Sequence, residues 1–544
     1  MLADNMTDCH VLVIGSGGAG VRAAIEASRY GETIIVSKSL AGKGGCTTMA
    51  EGGYNAVINC EDSCPLHEED TLKGGGFLNI PKLVEILVKE APERIADLVS
   101  WGAVFDVTPE RMLAQRPFGG QKFPRTCFAG DRTGHEMMMT LIERVRQGGI
   151  QIMQEITIID LLKTEDDGGR VCGAVGLNRR GEMVIIRSDA VVLATGGLGQ
   201  IYDVCTNCAT GNGQGYSIGY RAGAELIDME MVQFHPTGLV YPYDARGRLI
   251  TEAVRGEGGI LKNIIGERFM KNYDPKRMEL STRDIVSRAI ATEILEGRGT
   301  EKGGVYLDVS HLPADVIEER LPLMLEQFLT IGVDIRKEPM EVAPTAHHMM
   351  GGIRINTDCQ TSVPGLFACG EVTGGIHGAN RLGGNSLADT QVFGKRAGEF
   401  AGKSPVLEKS INPTQIEKEN KRLKGFLSGT ESIAVIKKAL KKTMWENAGI
   451  FRTESELKKA LLDIENLKGK MPKAVSKENL ADACVLEDML TSAELVVKGA
   501  LLREESRGAH VRKDIKTEWT PDKSPFGHTY QSLSRSGIEK KEVF

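Results

Sequence analysis

The sequence predicts an α/β protein built on a parallel β-sheet, with a second region inserted between two parts of that sheet and a helical module after it. Two short apolar runs near the N-terminus, His10–Gly15 and Thr33–Lys38, flank a segment with helical periodicity, which is typical of a β-α-β unit. Two later apolar runs, Asp189–Gly197 and Gly365–Glu371, predict further buried parallel strands. More than 160 residues separate these two runs, so we expect the sheet-forming domain to be discontinuous.

The region after this domain has a different composition and a different spacing of apolar residues. It is rich in lysine and glutamate and has apolar residues at helical spacing, for example Val435 with Ile436, Leu440 and Met444. The polar, proline-containing tail that follows is expected to wrap another subunit or the body of the protein. The predicted regions are a discontinuous first domain (1–228 and 341–401), an inserted domain (229–340), a helical domain (402–506) and a C-terminal tail (507–544).

The composition excludes two broad classes of function. With 544 residues, 26% of them charged, and a formal net charge of −6, the chain lacks the basic footprint of a nucleic-acid-binding protein. No apolar run reaches the ~18–20 residues that cross a bilayer, so we expect membrane contact only through partner proteins.

The eleven cysteines lack the spacing of an iron–sulfur cluster, and no metal site is predicted. Without a secretory signal, the chain is expected to keep reduced thiols in the cytoplasm, or on the cytoplasmic face of a membrane.

A glycine-rich segment follows the first predicted strand. Gly15, Gly17 and Gly20 have GxGxxG spacing between a strand and a helix, which is typical of a Rossmann-like dinucleotide-binding site. The glycines allow a tight turn, and the N-terminus of the helix can then bind a pyrophosphate. The second strand ends in Ser37-Lys38 instead of the acidic residue that binds ribose in NAD enzymes, so NAD specificity is not supported. The loop Gly42–Gly53 is also rich in glycine and is a candidate to lie along a flavin ring.

Nine sequence blocks, taken in order, resemble the flavoprotein subunits of succinate dehydrogenases and fumarate reductases. The resemblance covers roughly the first 400 residues and a motif in the tail. The archaeal enzymes of this family that draw electrons from thiols are a candidate subgroup. The blocks are QRPFGG (Gln115–Gly120), DRTGH (Asp131–His135), LATGG (Leu193–Gly197), QFHPTG (Gln233–Gly238), TEAVRGEGG (Thr251–Gly259), RD (Arg283–Asp284), PTAHHMMGGI (Pro344–Ile353), HGANRLGGNSL (His377–Leu387) and EESRGAH (Glu504–His510).

The resemblance implies a fold and a reaction. The fold is a discontinuous Rossmann-like FAD-binding domain with an inserted α+β capping domain and a C-terminal helical domain. The reaction is hydride transfer between N5 of FAD and the four-carbon dicarboxylates fumarate and succinate. By resemblance, Arg381 and His347 bind one carboxylate of the substrate, and His235 and Thr251 bind the other. An arginine suits this task because its planar guanidinium binds a carboxylate bidentately and stays charged.

The resemblance also implies a route for the proton. Arg283 corresponds to the proton donor of the family. Glu252 and Arg255 correspond to the residues that return a proton to this donor after it has reacted. Phe118 is expected to pack over the substrate and to exclude water from it. An alternative interpretation is that Arg283 and Asp284 form an internal ion pair that caps a helix.

The expected FAD-binding residues come from the glycine-rich segments and from the matching blocks. They are Gly15, Gly17, Gly18, Gly20, Ser37, Lys38, Gly45, Cys46, Thr47, Gly52, Gly53, Ala194, Thr195, Gly196, Asn212, Glu371, Arg381, Asn385, Ser386 and Leu387.

The second glycine-rich loop differs in sequence from the corresponding loop of many family members. Those members attach FAD covalently through a histidine, whereas Gly42–Gly53 contains no histidine and has Gly45 or Cys46 at the equivalent place. We therefore expect non-covalent FAD. Because covalent attachment tends to raise the flavin potential and to favour succinate oxidation, its absence favours fumarate reduction. Cys205 and Cys208 are interpreted as free thiols.

A partner and two alternative functions complete the prediction. Because the chain has no iron–sulfur or haem motif, the resemblance implies electron transport through a separate iron–sulfur subunit. The nearest alternative enzyme is L-aspartate oxidase, which shares the fold but typically differs where this chain has RLGGNSL (Arg381–Leu387). The other alternative is an FAD-binding scaffold without catalytic activity, which the presence of both Arg283 and Glu252 disfavours.

Overall fold

The helices of the computed structural model are concentrated in the second half of the chain. The structure describes residues 6–165, 169–407, 411–516 and 526–540. The helices are α1 (Gly18–Ala27), α2 (Cys64–Gly74), α3 (Pro81–Ser100), α4 (Thr133–Gln147), α5 (Gln214–Arg221), α6 (Ala253–Gly256), α7 (Arg283–Glu293), α8 (Ala314–Arg320), α9 (Pro322–Thr330), α10 (Asn385–Gly402), α11 (Pro413–Leu427), α12 (Ile433–Asn447), α13 (Glu454–Lys468) and α14 (Leu480–Leu502).

The strands form several separate sheets. They are β1 (Met6–Ile14), β2 (Thr33–Ser37), β3 (Tyr54–Asn55), β4 (Gln115–Arg116), β5 (Thr126–Cys127), β6 (Gln151–Gln154), β7 (Thr157–Lys163), β8 (Val171–Leu177), β9 (Met183–Leu193), β10 (Leu226–Ile227), β11 (Val232–Leu239), β12 (Ile260–Lys262), β13 (Val305–Asp308), β14 (Met340–Met349), β15 (Gly352–Arg354), β16 (Leu366–Ala368), β17 (Thr373–Gly374), β18 (Glu431–Ser432), β19 (Phe451–Arg452), β20 (Pro472–Lys473), β21 (Val511–Arg512), β22 (Phe526–Gln531) and β23 (Ser536–Lys540).

The largest sheet has seven strands and contains every strand that the apolar runs predicted. Its order is β6-β2-β1-β9-β8-β7, and β16 pairs with β9 beyond the end of β8. The strands β6, β2, β1, β9 and β16 are parallel, whereas β7 and β8 add an antiparallel hairpin. The predicted parallel sheet is therefore confirmed and is extended by a hairpin. The carboxyl ends of β1, β9 and β16 meet at one edge, where ligands bind in open α/β sheets.

Helices α1 and α10 pack closely beside this sheet. A glycine makes the approach possible, because a Cβ at Gly398 would lie only 2.1 Å from the carbonyl oxygen of Ala23. The N-terminal ends of both helices face the carboxyl edge of the sheet, since residues at both ends line the same cavity. The fold thus directs two helix N-termini, with their partial positive charges, toward one ligand site.

A second sheet is formed by the inserted segment and the strand that follows it. Its order is β11-β14-β13-β12, and its paired strands are antiparallel. The hydrophobic residues packed against it, from Leu239 to Val342, form a core separate from that of the large sheet. Strands β11 and β14 carry two of the predicted site histidines, so their pairing brings distant parts of the sequence together.

Helices α11 to α14 form the predicted helical region. Ile436, Leu440 and Met444 of α12 are fully buried, whereas Val435 is 52% exposed. The inclusion of Val435 in the apolar face was wrong, because the neighbouring Ile436 occupies the direction toward the core. Within the residues that the structure describes, no helix is long and apolar enough to cross a membrane.

The tail returns to the body of the same chain. Strand β22 pairs antiparallel with β10, and β23 pairs antiparallel with β22. Residues 517–525 and 541–544 of the predicted tail region lie outside the described residues. The sequence prediction left open whether the tail wraps another subunit or the body of the protein. The described part of the tail contacts the body of the protein.

A buried network of ion pairs and hydrogen bonds connects the end of α14 and the tail to the segment after β10. Arg503, with no exposed side-chain surface, donates to Asp228 at 3.1 Å and to Glu505 at 2.8 Å, and it also pairs with Glu230. Thr529 of β22 donates its hydroxyl to Glu230 and its amide to Asp228. Because buried carboxylates need compensation, Arg503 is the residue on which this junction depends.

We expect Arg503→Ala to lower the free energy of unfolding by about 3–5 kcal/mol, since it removes the cation shared by three buried carboxylates. Arg535→Ala is the matched control, because Arg535 joins the same tail to Glu225 through a pair in which its side chain is 53% exposed. That control should cost less than about 1 kcal/mol. Urea and thermal unfolding measure both changes, and equal effects would contradict the assigned role of Arg503.

Candidate active site

One cavity of about 570 Å³ lies at the carboxyl edge of the large sheet and extends to the second sheet. Its wall includes residues from both glycine-rich segments, from the ends of β9 and β16, and from β11 and β14. A volume of this size is typical of sites for cofactors and other small molecules. The cavity has two chemically different ends, one rich in glycine and one rich in arginine and histidine.

The first glycine-rich turn makes one end of the cavity. Gly15 has a φ angle of 119°, and a Cβ there would lie 2.2 Å from the carbonyl oxygen of Ala194. A Cβ at Gly20 would lie 2.0 Å from the carbonyl oxygen of Gly15, so both positions require glycine. The turn leads into α1, where the amide of Gly18 donates to Thr47 Oγ1 at 3.1 Å. This is the geometry of a pyrophosphate site at a helix N-terminus.

Polar groups around the turn can bind the ribose and phosphate groups of a dinucleotide. The hydroxyl oxygens of Ser37 and Ser16 are 2.6 Å apart, and Ser37 also donates to the carbonyl of Ser39. Burial lowers the pKa of Lys38 to about 8, although Asp488 favours its charged form. The hydroxyl of Thr195 is buried without a protein partner and belongs to a residue of the cavity wall. The residues present therefore fit the predicted cofactor.

Most predicted site residues line this cavity. Three do not: Gly20 packs behind Gly15, Asn385 bonds to Asn55 and His67, and Arg255 lies behind Glu252. The predicted residues that line it are Gly15, Gly17, Gly18, Ser37, Lys38, Gly45, Cys46, Thr47, Gly52, Gly53, Phe118, Ala194, Thr195, Gly196, Asn212, His235, Thr251, Glu252, Arg283, His347, Glu371, Arg381, Ser386 and Leu387.

A buried ion network forms the other end of the cavity. Glu252 accepts from Arg283 Nε at 2.8 Å, and Arg283 Nη2 lies 2.7 Å from the same oxygen. Arg255 Nη2 lies 3.8 Å from the same carboxylate. The other oxygen of Glu252 accepts from the amide of Gly119 at 2.8 Å. Burial opposes ionisation, but the two guanidiniums and the amide lower the pKa of Glu252 to about 2. Glu252 is therefore an anion between two cations.

The pairing of Arg283 differs from the alternative interpretation of the RD motif. Asp284 pairs with Arg288 at 3.3 Å, one turn further along α7, while Arg283 pairs with Glu252 across the site. Arg283 is the first residue of α7 and is only 7% exposed. The proposed Arg283–Asp284 ion pair is wrong, because adjacent residues of a helix project in different directions.

Gln233 joins Arg283 and Arg381, two of the arginines that line the cavity. Its Oε1 accepts from Arg283 Nη1 at 3.3 Å and from Arg381 Nη2 at 3.1 Å. Its Nε2 donates to Asn380 Oδ1 and to the carbonyl of Arg381, which fixes the amide orientation. Burial and the charge of Arg283 lower the pKa of Arg381 to about 9, so Arg381 is still cationic at pH 7. The sequence prediction missed Gln233, although it lies two residues before His235 in the QFHPTG block.

Two neutral histidines face the same space. The rings of His235 and His347 have centroids 5.0 Å apart. Burial, together with the charge of Arg283, lowers the pKa of each well below its usual range. His235 Nδ1 accepts from the amide of Thr237 at 3.3 Å, which leaves Nε2 as the protonated nitrogen. His347 Nδ1 lies 2.8 Å from Thr206 Oγ1, so Thr206 orients its ring.

Phe118 closes one side of the arginine-rich end. It is 3% exposed, and Arg116 lies over its ring with the guanidinium carbon 5.5 Å from the centroid. A Cβ at Gly383 would lie 2.7 Å from Phe118 and 2.9 Å from Glu252. The absence of a side chain at Gly383 therefore leaves room for the Phe118 ring and for Glu252 of the ion network. Thr251, which precedes Glu252 in the sequence, is 1% exposed and also lines the cavity.

Comparisons with known proteins agree with this geometry. Residues 10–387 match the family described as "FAD binding domain", and residues 437–542 match "Fumarate reductase flavoprotein C-term". The chain is 54% identical to one of the subunits of the fumarate reductase (CoM/CoB) of Methanothermobacter marburgensis, over 95% of this chain and 97% of that protein. It is 38% identical to the succinate dehydrogenase flavoprotein subunit of Rickettsia bellii, over 97% and 93%.

A solved structure has the same fold over nearly the whole length. Quinol fumarate reductase from E. coli matches with a TM-score of 0.92 and 36% identity, covering 99% of this chain and 97% of that chain. The match therefore includes both the residues that line the cavity and the C-terminal region. The chain therefore belongs to the family of fumarate reductase and succinate dehydrogenase flavoprotein subunits.

Proposed function

We propose that this protein is the FAD-dependent catalytic subunit of a fumarate reductase and that it transfers a hydride and a proton to fumarate to form succinate. The observation that carries the proposal is the charge at the arginine-rich end of the cavity. Arg283 and Arg381 line that end and Arg255 lies behind Glu252, so three guanidiniums lie near this ionised carboxylate. Glu371 also lines the cavity, and burial raises its pKa to about 7. The surplus of positive charge suits a dianionic substrate.

The two carboxylates of the substrate have separate sets of partners in this proposal. Arg381 and His347 bind one carboxylate, and His235 and Thr251 bind the other. The protonated Nε2 of His235 suits this task because a neutral imidazole donates one hydrogen bond without adding charge. Phe118 covers the bound substrate and excludes water, which strengthens each ionic contact.

Arg283 donates the proton in the proposed reaction. Bound FAD supplies the hydride, which reaches one alkene carbon of fumarate, and the other carbon then needs a proton. Arg283 lines the cavity and contacts Glu252 through two of its nitrogens. A proton lost from the guanidinium is replaced through Glu252, and Arg255 lies on the far side of that carboxylate. These contacts support a relay from Arg255 through Glu252 to Arg283.

The proposed cofactor state is non-covalent FAD. The loop that contributes Gly45, Cys46 and Thr47 to the cavity wall has no histidine between Gly42 and Gly53. The residues that would hold FAD are the glycine turn before α1, Ser37, Lys38, Thr195 and the N-terminus of α10. The absence of a histidyl link favours fumarate reduction over succinate oxidation as the main direction.

Electrons are proposed to come from an iron–sulfur partner protein. The described residues contain no group of three or more histidine, cysteine or acidic side chains that could hold a metal ion. The relative from Methanothermobacter marburgensis is named as one part of a CoM/CoB fumarate reductase, which supports a role within a larger enzyme. None of the eleven cysteines, all of which the structure describes, forms a disulfide, which supports a cytoplasmic location because cytoplasmic proteins keep their thiols reduced.

The domain division is also a proposal. Residues 229–340 would act as a capping domain over the FAD-binding domain of residues 1–228 and 341–401. The separate hydrophobic core between Leu239 and Val342 supports an independent unit. Residues 402–506 would form the helical domain, and residues 507–544 would form the tail.

Arg283→Lys is expected to lower the turnover of fumarate by roughly 10²–10⁴-fold, since the positioned acid is lost while the positive charge remains. The flavin absorbance per mole of protein should stay at the wild-type value. Arg288→Lys on the same helix is the control and should retain activity, because Arg288 pairs with Asp284 instead of Glu252. Steady-state kinetics with a reduced viologen dye measures both variants. Normal turnover in Arg283→Lys would rule out the proton-donor role.

Gln233→Glu is expected to raise the KM for fumarate by roughly 10–150-fold, the range that about 1.5–3 kcal/mol of a charged hydrogen bond represents. The added carboxylate lies beside Arg283 and Arg381 and neutralises part of the charge offered to the substrate. Gln233→Ala, which removes the amide without adding charge, should raise the KM less. If both variants had the same KM, the charge at Gln233 would have no part in substrate binding.

Acid precipitation of the holoprotein is expected to release all of its flavin into solution, because no histidine in the glycine-rich loop is present to hold it. Absorbance of the supernatant and fluorescence of the washed pellet measure the distribution. Flavin that remains with the pellet after unfolding in urea would contradict the non-covalent state.

A further inference from the structure

Two cysteines from distant parts of the chain meet in the wall of the cavity. The sulfur of Cys46 lies 3.6 Å from that of Cys208, although 162 positions separate them in the sequence. Both side chains are partly exposed, and both residues line the cavity. Cys205, the sequence neighbour of Cys208, instead directs its sulfur toward the carbonyl of Asn207. The close pair of thiols is therefore Cys46 with Cys208.

The surroundings of Cys208 favour its thiolate. Thr210 Oγ1 lies 3.1 Å from the sulfur of Cys208, and backbone amides of Thr210 and Gly211 also point toward it. The hydrogen bond from Cys46, followed by those from Thr210, lowers the pKa of Cys208. The same contact raises the pKa of Cys46. Cys208 is thus the nucleophile of the pair, and Cys46 is the resolving thiol.

We propose that Cys46 and Cys208 form a reversible, redox-active disulfide that reacts with low-molecular-weight disulfides. The sulfur atoms have to approach from 3.6 Å to about 2.05 Å. Both cysteines lie in loops and not in a helix or strand, so this approach does not break a sheet or a helix.

The chemistry is ordinary thiol–disulfide exchange. The thiolate of Cys208 attacks one sulfur of an external disulfide, forms a mixed disulfide and releases one external thiolate. Cys46 then loses its proton and attacks the sulfur of Cys208, which releases the second external thiolate. In total, two cysteine thiols are oxidised to one disulfide, and one external disulfide is reduced to two thiols.

The bridge would connect the two ends of the cavity. The loop of Cys46 also contains Thr47, whose hydroxyl accepts from Gly18 at the first turn of α1. The loop of Cys208 holds His347, because Thr206 bonds to its ring and Asn207 donates to its carbonyl at 2.7 Å. Oxidation therefore links the loop at the pyrophosphate end to the loop that orients a substrate-binding histidine.

The test equilibrates the flavin-containing protein in glutathione buffers of increasing potential. Free thiols are then blocked with N-ethylmaleimide under denaturing conditions, and the digest is analysed by mass spectrometry. We expect a peptide pair joined through Cys46 and Cys208, lost again in excess dithiothreitol. We also expect slower release of flavin on dilution of the oxidised protein than of the reduced protein. Exposed Cys60 reports whether the oxidant has reached the protein.

Matched variants identify the bridge. Cys205→Ser should still form it, whereas Cys46→Ser and Cys208→Ser should not, and Cys208→Ser should leave Cys46 open to alkylation. Separate alkylation of Cys46 and Cys208 in buffers that oxidise Cys60 would overturn the proposal. A bridge between Cys205 and Cys208, or flavin attached to Cys46, would overturn it as well. Each readout is independent of fumarate turnover, so failure of the proposed function would not be mistaken for failure of this one.

Discussion

Buried positive charge around the cavity is the constraint on which the rest of the site depends. Isolated ions cost several kcal/mol each to bury, and Glu252 compensates only part of the charge of the nearby arginines. Gln233 supplies an uncharged acceptor to Arg283 and Arg381, and the amide of Gly119 holds Glu252 in place. Nε of Arg381 and Nη2 of Arg255 have no protein acceptor. An anionic ligand that accepts from Arg381, which lines the cavity, adds to the compensation.

The charged residues come from both sides of the junction between the two sheets. Arg283 and Glu252 belong to the inserted segment, whereas Arg381 precedes α10 beside the large sheet. Strands β11 and β14 connect the two parts, and these paired strands carry His235 and His347. The site is therefore complete only when the inserted segment packs against the large sheet. This dependence couples binding of the substrate to the packing between the two parts.

Local patterns predicted the centre of the fold well. Strands β1, β2, β9 and β16 are buried on both faces, so each leaves an uninterrupted apolar run in the sequence. The pairing of β22 with β10 and the exposure of Val435 depend on contacts that no local period encodes. At the site, sequence blocks located the arginines and histidines. The contacts of Gln233 and the meeting of Cys46 with Cys208 could not be predicted, because they depend on how separated loops come together.

The ion network around Arg503 has a consequence for synthesis of the chain. Asp228 and Glu230 are buried at the junction of the two sheets, yet their cation lies 275 and 273 positions further along the sequence. At a translation rate of about 5–20 residues per second, this delay lasts roughly 15–55 seconds. During that time the ribosome holds a chain whose central segment carries acidic groups without their partner. The native contacts of this segment therefore form only after α14 and Arg503 have been synthesised, so the junction closes late.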